Sequence, residues 1–155
     1  MRLLAPLREL DATQRHTVFA SFLGWTLDAF DYFLLTFVIV AVAQDFHVGK
    51  AQVLYGLFLT LAARPLGALL FGRLADRYGR RPILMIDVLL FSLFEFATAF
   101  APSLSAFLVL RFLFGVAMGG EWGLGASLAM ESIPPRARGL VSGLLQSGYP
   151  CGFFL

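Results

Sequence analysis

The chain has 155 residues, 59% of them hydrophobic and 14% charged, with a formal net charge of +2 and a mean hydropathy of +0.79. Soluble domains carry about 25% charged residues and bury only about 70% of their surface at this size, so a water-soluble globule is excluded and a membrane protein is expected. The basic residues are spread over several loops, which argues against a nucleic-acid partner. The single Cys151 leaves no intrachain disulfide and no metal cluster, and reads as a small packing residue.

The opening Met1-Arg2-Leu3-Leu4 segment lacks the short apolar core and small-residue cleavage site of a removable signal peptide. Leu3, Leu4, Leu7 and Leu10 predict instead a brief amphipathic turn on the membrane surface. A span needs roughly 20 mostly apolar residues, and five segments qualify, at about 16–43, 52–73, 82–101, 104–130 and 137–155. Between them lie a mildly polar turn from Gln44 to Lys50, a charge-dense hinge over 72–81, the uncharged Ala101-Pro102-Ser103, and a polar, basic stretch over 131–138. This arrangement puts Arg2, Arg8, Arg15, Arg73, Arg77, Arg80, Arg81, Arg136 and Arg138 on one side and only Lys50 on the other. Arg64 and Arg111 fall within spans. Cytoplasmic loops carry the Lys/Arg excess, so the amino terminus is expected in the cytoplasm and the protein in the plasma (inner) membrane. The fifth segment stops inside apolar sequence at Gly152-Phe153-Phe154-Leu155. The expectation is an amino-terminal piece of a longer protein, the alternative a natural five-span chain.

Charges within the spans are the functional signal. Span 1 carries Asp28 and Asp31, span 2 Arg64, span 3 Asp87 and Glu95, and span 4 Arg111 and Glu121. Each costs about 2.5–3.5 kcal/mol at a helix centre on insertion scales, so such residues are expected to face a bundle interior or wet cavity and to mark a transport path. Asp28 and Asp31 are three apart and share a helical face. At 1.5 Å per residue, Asp31 lies about 18 Å below the outer end of its span, Asp28 about 22 Å and Arg64 about 20 Å, so a meeting near mid-membrane is expected. Glu95 and Arg111 each lie roughly 10 Å below the outer surface, a second expected pair. Two chemistries compete at the aspartates, because desolvation favours a proton carrier while a nearby Arg64 favours the ionised form. Asp31 is the preferred carrier. The bland alternative is a set of static pairs that fix helix register.

Span 4 also places Arg111, Gly115, Gly119 and Gly123 at four-residue intervals, followed by Ser127. That puts a glycine groove and the arginine on one face, where another helix can approach closely. Gly139 with Gly143 and Gly148 with Gly152 extend the pattern, and Pro150 is expected to interrupt the last helix.

Residues Gly72, Leu74, Asp76, Arg77, Gly79, Arg80 and Arg81 resemble the signature between the second and third helices of major facilitator superfamily transporters. Arg111, Gly115 and Gly119 resemble that superfamily's helix 4 motif, and Glu131 with Arg138-Gly139 its helix 4–5 border. Asp28-Ala-Phe-Asp31-Tyr-Phe, Arg64-Pro65-Leu66-Gly67-Ala68 and Gly119-Gly120-Glu121-Trp122-Gly123 are most similar to its sialate:proton symporters, and related metabolite:proton symporters share parts of them. The likeness covers the whole chain. It implies an all-α membrane fold in which the chain forms the amino-terminal part of a six-helix half, four complete transmembrane helices plus most of a fifth. It further implies proton-driven import of a small organic anion such as a sialate or short monocarboxylate, with Asp76, Arg77 and Arg81 in a cytoplasmic charge network. The partners would be the lipid bilayer and the missing carboxy-terminal half, with protons as coupling ion and no other cofactor. The Gly148-Tyr149-Pro150-Cys151-Gly152 run departs from the antiporter motif and argues against drug/proton exchange.

An enzyme is not expected, since no dinucleotide fingerprint, Walker loop, nucleophile elbow or zinc-protease motif occurs. His16 and His47 stand alone near span ends. The competing readings are a facilitator or exchanger of another small metabolite and a truncated, non-transporting membrane fragment.

Overall fold

The computed structural model describes residues 10–155; of the surface turn expected from Leu3, Leu4, Leu7 and Leu10, the first three lie outside the described residues, and Leu10 is buried in an apolar cluster with Val18 and Ile133 instead of lying on the surface. Five α-helices follow one another there: α1 Ala12–Asp45, α2 Lys50–Tyr78, α3 Arg80–Thr98, α4 Leu104–Ser132 and α5 Pro135–Phe154. Helices α1, α2 and α4 are long and apolar enough to cross a membrane. Their 34, 29 and 29 residues exceed the roughly 20 that a bilayer core requires, so their ends project beyond it. Helices α3 and α5 are shorter, with 19 and 20 residues.

Helices α1, α2 and α4 start where the sequence supplies a partner for an orphan backbone donor. In α1 the Asp11 carboxylate accepts from the Gln14 backbone N–H at 2.7 Å, and the Gln14 side chain accepts from that of Asp11 at 3.0 Å, a reciprocal capping box. The Gln52 side chain accepts from the Gly49 N–H ahead of α2, and the Ser103 hydroxyl caps α4 through Ala106. Pro135 opens α5, where its missing donor costs nothing.

Two expectations about breaks are corrected. The stretch 72–81 is helical up to Tyr78 and again from Arg80, so the chain reverses at Gly79 alone. Its φ of 94° is a conformation that a Cβ would strain. Nor does Pro150 interrupt α5, which runs on to Phe154 as α2 runs through Pro65. Proline removes one internal hydrogen bond, but the flanking Gly148 and Gly152 lie against the α1 backbone at Phe22 and Thr26. Contact on both sides of the proline keeps the helix in register.

The chain divides into two compact units, one running to Phe33 and resuming at Gly125–Leu155, the other Leu34–Leu124. In the first, Val18, Ala129, Ile133, Ala137, Val141 and Leu145 form the buried core, and Phe33 packs edge-on against Tyr149 and Phe153. In the second, Phe71 and Ala75 of α2, Ile83 of α3 and Leu124 of α4 are buried together. The outer surface is the reverse of a soluble protein's, since Phe37, Phe58, Leu69, Leu89 and Phe96 are each more than half exposed. Apolar exposure on this scale fits a lipid or protein surround rather than water. Cys151, expected as a packing residue, is exposed, because the side of α5 that meets α1 is taken by the glycines.

Candidate functional site

Within the second unit, α2 and α4 touch backbone to backbone. A Cβ at Gly115 would collide with the Thr60 carbonyl, and one at Gly119 with that of Arg64. The Thr60 hydroxyl donates to the Gly56 and Arg111 carbonyls, both at 3.0 Å, pinning the two helices. The glycine groove expected on α4 therefore exists, and α2 fills it. Gly123, next in the series, meets nothing within 4 Å, while Gly120 lies against the Phe71 side chain of α2, so beyond Gly119 side chains replace backbone in the contact.

This seam sets the two in-span arginines. Arg111 is 4% exposed and pairs with Glu95 of α3 at 2.9 Å, the carboxylate being 34% exposed. The rings of Phe107 and Phe114 flank the guanidinium at 5.8 and 5.1 Å from its central carbon. The second expected pair is thus present. Arg64, one turn from Thr60, donates to the thioether sulfur of Met118, and its guanidinium lies 5.5 Å from the indole centre of Trp122, a cation–π contact. Met118 and Thr60 were invisible as site residues in the sequence. Their only signal was helical spacing from Gly115 and Gly119 on one helix and from Arg64 on the other.

Other expected residues are distributed as follows. Asp28 is 3% exposed while Asp31 is half-buried, and both are engaged by neighbours. They lie in the first unit and Arg64 in the second. Glu121 is half-buried on α4, and its charge reaches Asp87 on α3. Around the helix break, Asp76, Arg77 and Arg81 are exposed and Gly72 and Arg80 partly so. Arg77 stacks on Tyr78, and a Cβ at Gly72 would meet nothing within 4 Å. At the α4–α5 border Glu131 and Arg138 are exposed, with Arg138 donating to the Ile133 carbonyl.

Residues 19–155 match the Major Facilitator Superfamily. The chain belongs to that superfamily. It is 37% identical over 92% of its length to the "Probable 4-methylmuconolactone transporter" of Cupriavidus pinatubonensis. It is 33% identical over 86% of its length to the niacin transporter NiaP of Acinetobacter baylyi. With the sialic acid transporter NanX of Escherichia coli it shares 29% identity over 94% of its length. These matches take up 33%, 30% and 36% of the relatives, so the chain spans about a third of the length of the curated relatives it matches. All three relatives are named as transporters, none as an enzyme.

Proposed function

We propose that the chain forms the first four membrane helices and most of the fifth in a secondary active transporter, which imports a small organic anion together with protons by alternating access. The observation that carries this reading is Arg64, a guanidinium within an apolar helix, set against the Met118 sulfur and the Trp122 indole. A guanidinium binds a carboxylate bidentately, and an indole 40% exposed beside it favours a flat or apolar-edged acid. The relatives support the same class, since niacin and sialic acid are both carboxylic acids. Asp28 and Asp31 take the proton-coupling role in this reading, with Arg111, Glu95 and Glu121 lining the path. Asp76, Arg77 and Arg81, exposed at the helix break, act as the cytoplasmic latch, and Glu131 with Arg138 as its neighbour at the α4–α5 border.

The test is uptake of labelled nicotinate and sialate by cells or liposomes carrying the full-length protein. An inward proton gradient is expected to drive accumulation and a protonophore to abolish it. Asp31→Asn should remove the pH drive while leaving membrane insertion intact. Arg64→Lys should cut uptake about tenfold or more, because an ammonium loses the bidentate fork and the stacking. Uptake that ignores both the gradient and the protonophore would replace symport with facilitation or exchange.

A further inference from the structure

Asp87 is a buried acid to which the symport reading gives no task. It lies in the first half of α3 with 0% of its side chain exposed, one turn after Ile83 of the apolar cluster shared by α2, α3 and α4. Both carboxylate oxygens are buried and make no hydrogen bond to the described residues. From α4, Glu121 is the charged group that acts on it. From α2 no counter-charge arrives: Arg73, Asp76 and Arg77 are exposed near its end, and Arg64 is drawn to Met118 and Trp122. On α3 itself, Arg81 is exposed and Arg80 partly so at the start, while Glu95, two turns on, is occupied by Arg111 of α4. No histidine occurs in α2, α3 or α4.

A carboxylate stripped of water and given neither a hydrogen bond nor a cation is strongly disfavoured, and such groups take up a proton instead. An intramembrane acid in this state is a functional candidate by default. We propose that Asp87 binds a proton inside the helices and forms a second proton site of the transporter, additional to the aspartates of α1. The proton comes from water and returns to it, making and breaking one O–H bond without a further reactant. Only the coupling of this site to transport rests on the symport reading; occupancy by a proton does not.

Infrared spectroscopy of the full-length protein in lipid tests the proposal directly. The wild type is expected to show the C=O stretch of a protonated carboxyl at neutral pH, shifted by carboxyl-labelled aspartate, with a component that is lost in Asp87→Asn and kept in Asp28→Asn and Asp31→Asn. Asp87→Glu should restore a band insensitive to the aspartate label. A wild-type protein without the band at neutral pH overturns the proposal whatever the variants do, and so does a band unchanged in Asp87→Asn. Should the band behave as stated while uptake ignores the proton gradient, the proton site stands and the symport reading falls. Gradient-driven uptake without the band does the reverse: symport stands and the Asp87 site falls.

Discussion

Arg111 is more deeply buried than the carboxylate that pairs with it, 4% against 34% exposed. Removing Glu95 therefore strands a fully enclosed cation, whereas removing Arg111 strands a less enclosed acid that can take up a proton. Orphaning one member of a buried pair costs about 3–5 kcal/mol. Glu95→Leu is expected near that range and Arg111→Met below it, with the double variant less destabilised than Glu95→Leu alone. Denaturant unfolding of the detergent-solubilised protein reads this, and equal losses from the two single variants would refute the asymmetry. The pair was legible in the sequence because depth below a common surface can be counted along each helix. Asp87 was legible as a buried charge but not as one without a hydrogen bond. Sequence gives depth along a helix, and the facing neighbours depend on how three helices rotate against one another.

The α2–α4 seam rests on Gly115 and Gly119 of α4, which admit the Thr60 and Arg64 backbone, and on Gly67 of α2, which admits that of Val116. Gly119→Val should push the helices apart and cost about 1–3 kcal/mol, as overpacking does. Gly123→Val, with no neighbour within 4 Å, should stay within about 0.5 kcal/mol. Melting of the two variants in the same detergent measures the contrast, and the same drop in both would show that the seam is not where stability lies. The four-residue glycine spacing was readable in advance, but not which of its members face a helix. Hydropathy likewise placed the first span at about 16, whereas the Asp11–Gln14 cap starts α1 at Ala12. A transfer scale sees the lipid-crossing part of a helix and is blind to the polar turn before it.

For the whole molecule, the five-segment pattern and the all-helical character were present in composition and run length. We propose a cytoplasmic amino terminus on the strength of the basic residues, because a Lys/Arg excess marks cytoplasmic loops. A membrane-impermeant maleimide applied to intact cells should label Gln44→Cys, at the end of α1, and should not label Tyr78→Cys, at the end of α2. Both belong in a Cys151→Ser background, since the native thiol is exposed. The reverse pattern would place the amino terminus outside.

The reversal between α2 and α3 takes place at Gly79 alone. Successive Cα atoms stay about 3.8 Å apart whatever the conformation, so this joint holds no spare chain to pay out. Any tilt of the lower end of α2 must carry the first turn of α3 with it. The two helices are therefore yoked as one lever whose axle is a single residue. The Phe46–Gly49 connection, by contrast, leaves slack between α1 and α2.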